Sequence, residues 1–147
     1  MSSFISYEGT SDFIAATPAL IITLAASGSI TAGRGVIHDA SNPASIYMPS
    51  GKDSGSVSPV GVCLATVSDG DPAPILVWGY AKSLPALPTN RSFSFGQPLV
   101  ITGSGYWTTS GSTWNSCVAG SVVTGSAGYI FALINCMKPV VGAFDDA

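Results

Sequence analysis

Val60-Gly-Val-Cys-Leu-Ala-Thr-Val67, then Ser68-Asp-Gly-Asp-Pro72, then Ile75-Leu-Val-Trp-Gly-Tyr80: this stretch decides the fold. The two outer runs are short, rich in β-branched and aromatic residues, and bounded by Gly or Pro, which is how strands read. The Asp-Gly and Asp-Pro steps between them are turn chemistry, because Gly accepts positive φ at no steric cost and Pro presets its own φ. The stretch predicts a β-hairpin whose second strand is bounded by Pro74 and Lys82.

The same pattern extends both ways. Upstream, Ala19-Leu-Ile-Ile-Thr-Leu24 stops at Ser27-Gly28-Ser29, and Gly35-Val-Ile-His38 runs into a turn over Asp39–Pro43. Ser45-Ile-Tyr-Met48 ends at Pro49, and residues 51–58 read as loop. Downstream, Pro98-Leu-Val-Ile-Thr102 and Tyr106-Trp-Thr-Thr109 flank Gly103-Ser-Gly105 as a further hairpin. Residues 110–124 read as a loop holding a short strand at Val122-Val123, and Gly128-Tyr-Ile-Phe-Ala-Leu-Ile134 is the strongest late strand. A short Pro139-Val-Val141 run precedes the acidic Asp145-Asp146. With 17 Gly and 10 Pro, helix is limited to one turn near Asn90–Ser94. The expected fold is all-β: one small domain of short antiparallel strands over residues 13–147, closed as a sandwich or barrel. Residues 1–12 are Ser-rich with isolated Phe4, Ile5 and Tyr7, and read as a flexible N-terminal arm that docks in an assembly.

Charge is the other informative feature. From Ser92 to Met137, 46 consecutive residues carry no Asp, Glu, Lys, Arg or His. Proton-transfer chemistry needs tunable acid–base groups, so this stretch points away from an enzyme. Free soluble surfaces are about 25–35% charged, so much of this one is expected to lie against another protein. Charged residues are 9% of the chain, the net charge is −3, and the five basic residues are scattered at Arg34, Lys52, Lys82, Arg91 and Lys138. That argues against nucleic acid as a partner, which needs clustered Lys and Arg. It also argues against disorder and coiled coils, both rich in charge. The longest apolar run, Phe13–Ala26, is too short for the ~20 residues of a bilayer span and follows Glu8 and Asp12. A secretory leader is basic there, so neither membrane insertion nor export is expected, and synthesis and folding belong in the cytoplasm.

Candidate chemical groups are sparse. His38-Asp39 is the one place with a base beside an acid, but a triad needs its carboxylate placed across space, so the pair reads as a strand end before a turn. Asp53, Asp69 and Asp71 lack the alternating ligands and distal Glu of a calcium loop. Cys63, Cys117 and Cys136 show no CxxC spacing and read as small buried hydrophobes, with no metal or cofactor implied. Gly33-Arg34-Gly35 and Gly103-Ser-Gly105 lack phosphate-loop patterns. Tyr106, Trp107 and Trp114, set among Ser, Thr, Gly and Asn, are either core aromatics or a surface platform for carbohydrate or protein.

The order of pieces from about residue 32 to 135 resembles the capsid decoration, or cement, proteins of tailed phages with a lambda-type β-rich fold. The matching pieces are Ile30-Thr-Ala-Gly33, Pro59-Val-Gly-Val-Cys-Leu-Ala65 and Asp69-Gly-Asp-Pro-Ala-Pro-Ile-Leu-Val-Trp-Gly79. Gly96-Gln-Pro-Leu-Val100, Tyr106-Trp107 and Ala127-Gly-Tyr-Ile-Phe-Ala-Leu-Ile134 follow. Gly96-Gln-Pro-Leu stands where that family has Gly-Asp-x-Leu, and Tyr106-Trp107 comes late, after Gly103-Ser-Gly105. The resemblance implies a virion protein on the capsid surface that bridges capsomers, with the major capsid protein as partner, a homotrimer as its form, and the arm (Phe4, Ile5, Tyr7) as a lattice contact. It brings no catalytic residues. The alternative is a receptor- or glycan-binding module of a virion fibre or tail, using Tyr106, Trp107 and Trp114.

Overall fold

In the computed structural model the hairpin forms: β4 (Gly61–Cys63) lies antiparallel to β5 (Pro72–Pro85), with Val62 opposite Leu76 and Cys63 opposite Ile75. The structure describes residues 19–39, 41–49, 59–87, 89–102, 104–109 and 118–137. The expected arm (residues 1–12), the 51–58 loop, Trp114, Cys117 and the 139–141 run lie outside them. The hairpin departs from expectation at both strands. Its first strand stops at Cys63, after which Leu64 N–H donates to Pro74 O at 2.9 Å and Val67 pairs with Ile30 instead. Its second strand runs 14 residues, from Pro72 to Pro85, past both Pro74 and Lys82, which were expected to bound it.

The other strands are β1 (Leu20–Ala26), β2 (Gly35–Asp39), β3 (Asn42–Tyr47), β6 (Pro98–Ile101), β7 (Trp107–Thr109), β8 (Gly120–Ser126) and β9 (Tyr129–Asn135). They form one sheet in the order β1-β3-β2-β4-β5-β9-β8-β6-β7, and β1 pairs again with β5. That extra pairing closes β1, β3, β2, β4 and β5 into a small barrel. The described residues hold no helix, so the all-β barrel expectation stands. One pairing in the ring is parallel, β1 with β3, where only antiparallel pairs were expected. β3 itself begins at Asn42, inside the anticipated turn.

β5 belongs to two layers. Its first half pairs with β1 and β4, and from Trp78 onward it pairs with β9. A bulge between Ala81 and Leu84, with Ser83 at φ 57°, bends the strand as it enters the second layer. Beyond the strand, Ala86 bridges Trp107 in parallel and Leu87 N–H donates to Trp107 O at 2.9 Å, which brings the chain back to β7.

The core follows from this sharing. Val36, Cys63, Ile75 and Val77 fill the barrel, while their neighbours Ile37, Val62 and Leu76 join a second core with Leu84, Ile101, Trp107, Val122, Ile130 and Ile134. Strands covered on both faces read as unbroken apolar runs, which is why 60–64 and 75–78 do not alternate.

The hairpin β8–β9 was expected only in part, since β8 is seven residues of Gly, Ser, Val and Thr. Gly120 faces the Leu133 carbonyl so closely that a Cβ could not fit. The two-residue turn, Ala127 (φ 54°) and Gly128 (φ 86°), has both φ positive, the signature of a type I′ turn matched to strand twist.

Candidate interaction surface

The segment Gly33-Arg34-Gly35 locks the barrel to the β6–β7 hairpin. Trp107 is fully buried, and its indole Nε1–H donates to Gly33 O at 2.8 Å. Gly35 N–H donates to Gly105 O at 2.8 Å. A Cβ at Gly35 would collide with Ile101 and press on the Trp107 ring, so only Gly lets the backbone pass. The Arg34 guanidinium lies 3.8 Å from the Tyr106 ring centroid and donates to Tyr106 Oη at 2.7 Å. It also donates to Ser104 O at 3.0 Å. Sequence reading missed this latch, because Arg34 and Tyr106 are 72 residues apart.

Of the aromatic set, Trp107 is therefore a core residue. Burying its ring and satisfying its N–H removes it from any surface platform, which corrects that part of the expectation. Tyr106 is partly buried and engaged by Arg34. The structure thus sends these sequence neighbours to different environments. Trp114, Phe4, Ile5 and Tyr7 lie outside the described residues.

A different aromatic surface emerges on β5 and β9. Ile130, Ala132 and Ile134 point into the core, so Tyr129, Phe131 and Leu133 occupy the opposite face. Register places Tyr80 opposite Leu133, and Trp78 opposite both Asn135 and Leu20. The Tyr80 and Phe131 rings sit 6.0 Å apart, tilted by 55°. Tyr129 is 57% exposed. The bulge in β5 and another in β8, between Val122 and Thr124, flank β9 and leave an open depression of about 260 Å³. Lys82, Thr124, Ser126, Tyr129 and Phe131 are among the residues lining it. The alternation in Tyr129-Ile-Phe-Ala-Leu-Ile134 was the available signal for this face.

The remaining polar groups hold turns. Asp69 Oδ1 accepts from Gly28 N–H at 2.8 Å, and Asp71 Oδ2 accepts from Ser68 N–H at 3.2 Å. Asp39 accepts from Ser27 Oγ–H at 3.1 Å and from Ser41 N–H at 2.9 Å. These are the turn roles expected of them. Cys63 and Cys136 are free thiols. Burial pushes the Cys136 thiol up to about 12, and burial likewise raises Cys63, offset in part by the Ala65 backbone. The surface is thus equipped for contact through apolar rings and hydroxyls.

No protein-family model matches the chain, and no curated protein matches it. Among solved structures the fold is similar to the crystal structure of the N base of head fiber gp8.5 in bacteriophage phi29, with a TM-score of 0.53 at 15% sequence identity. The match covers 81% of this chain and 96% of that one, so the shared feature is the fold of nearly the whole base.

Proposed function

We propose that this chain is a structural protein of a phage virion, which binds the outer surface of the assembled capsid and stabilises it by bridging capsomers. The observation that carries the reading is the fold it shares with the head fiber base of phi29 across 96% of that base. The charge-free third of the chain supports it, since such a surface suits permanent cover by other protein. The resemblance of its motif order to that of decoration proteins supports it as well. On this reading the action is mechanical, with no catalysis and no cofactor. The partner is the major capsid protein, and the chain works as a homo-oligomer, a trimer being favoured. Many weak contacts to a repeating lattice then sum through effective concentration. The arm residues Phe4, Ile5 and Tyr7 add a backbone-paired contact to a capsid sheet edge. Heating empty shells with and without the protein tests this reading. Added protein raises the temperature of shell disruption, and an unchanged temperature at saturating protein contradicts it.

The same neighbour favours a second reading. That neighbour is named as the N base of a head fiber, so this fold also suits the base of a receptor- or glycan-binding module. A glycan array probed with the full chain separates the two: reproducible hits favour the module, and a blank array favours the capsid role.

A further inference from the structure

We propose that the outer face of β5, β9 and β8 is the surface on which a second copy of this chain docks. The inference rests on the homo-oligomer proposed above and names the face it uses. In a strand with one wet side, that side reads polar. β9 instead presents large apolar groups on both sides, with Ile130 and Ile134 fully buried on one and Tyr129, Phe131 and Leu133 on the other. Cross-strand register adds Leu20, Trp78 and Tyr80 to that outer side. Leu20 is 41% exposed. The flanking groups are neutral: Ser121 opposite Leu133, Thr124 opposite Phe131, and Asn135 opposite Trp78.

Charge decides the occupant. β8 and β9 both come from the charge-free stretch, and among the described residues Lys82 is the one formally charged side chain lining the face, at its edge. A strongly acidic or basic partner finds almost nothing there to pair with, and docking would strand its charges out of water. A second copy of this chain carries the same uncharged surface. Two copies can meet without burying an unpaired charge, with Lys82 kept in solvent by its long stem. Size sets how the contact is built. Three paired strands of seven residues project about 15 by 23 Å, roughly 350 Å², from standard strand spacing. A stable interface takes about 800 Å² per partner, so this face forms the apolar centre and the rim must add the rest. One rim element is on hand: Phe93 N–H donates to Gly125 O and Gly96 N–H to Val122 O, both at 2.8 Å, which lays residues 93–96 along β8 and places Phe95, 84% exposed, beside the face.

The test is molar mass by light scattering across a concentration series, on the full chain and three variants. Tyr129→Lys alters an exposed ring, Thr124→Lys adds charge without removing apolar contact, and Leu87→Ser removes an exposed apolar group elsewhere. Unfolding midpoints confirm that each is folded. The expected result is that wild type and Leu87→Ser associate alike, while each Lys variant shifts the midpoint concentration of association upward by about tenfold or more. Association of both Lys variants at the wild-type concentration overturns the assignment of this face and leaves the oligomer standing. A wild type that stays at 14.8 kDa throughout overturns the oligomer itself. Lys variants that associate normally yet fail to pellet with shells assign the face to the capsid, and that too overturns the proposal.

Discussion

Ala127 holds φ at 54° in a turn whose preferred sequence is Asn-Gly, and the chain supplies Ala-Gly. A left-handed conformation costs a non-Gly residue of order 1 kcal/mol, and Asn tolerates it better than Ala. Ala127→Asn is therefore expected to stabilise the fold by about 0.5–1 kcal/mol, read as a higher urea midpoint at unchanged m-value. Gly35→Ala acts oppositely. Its Cβ meets Ile101 and Trp107 in a packed core, so a loss of about 1–3 kcal/mol is expected in the same experiment. Cys136 gives a third outcome. With its thiol pushed up to about 12, it stays protonated at pH 8 and lacks the nucleophilic thiolate. In a Cys117→Ser background, Cys136 should resist a thiol reagent at pH 8 and react on adding denaturant. The sign for stability follows, because the folded chain holds this proton more tightly. Its contribution is complete below the ordinary value of 9.0 and is lost as pH rises toward 12. At this scale the turn aspartates were legible, since Asp-Gly and Asp-Pro act locally. Trp107 and Arg34 were not, because their partners lie 74 and 72 residues away.

β5 shows what a strand gains and loses by serving two layers. Ile75 packs into the barrel and Leu76 into the second core, both fully buried. In a strand with one wet face, one of two sequence neighbours tolerates truncation. Here Ile75→Ala and Leu76→Ala should each cost about 2–5 kcal/mol, measured by equilibrium unfolding. A near-neutral result at either position would show that its cluster is not a real core. The hairpin at 60–80 was readable because β-branched runs and turn residues coincide there. β8 was readable only at Val122-Val123. Gly120 is required there for close backbone approach, and small Gly, Ser and Thr residues carry little periodic signal. The parallel β1–β3 pair was out of reach, since the register Ala25↔Ser45 depends on barrel closure and on no local motif.

At the scale of the molecule, the all-β class follows from spacing and turns, and closure follows from β1 pairing with both β3 and β5. The charge-free stretch from Ser92 to Met137 becomes β6 to β9, so the sequence feature with no local explanation maps onto one half of the fold. The outer aromatic face was present in the alternation of β9, but recognising it required the register that adds Trp78 and Tyr80. The proposed role gives the arm its own outcome: deleting residues 1–12 should weaken shell binding and leave the unfolding midpoint of the domain unchanged. Equal shell binding after deletion would remove the arm from the mechanism. The most direct test of the central claim, the proposed capsid role, is co-sedimentation of the purified full chain with assembled phage capsids. The account predicts saturable pelleting at a fixed ratio to the major capsid protein. A chain that remains in the supernatant at every shell concentration would contradict it.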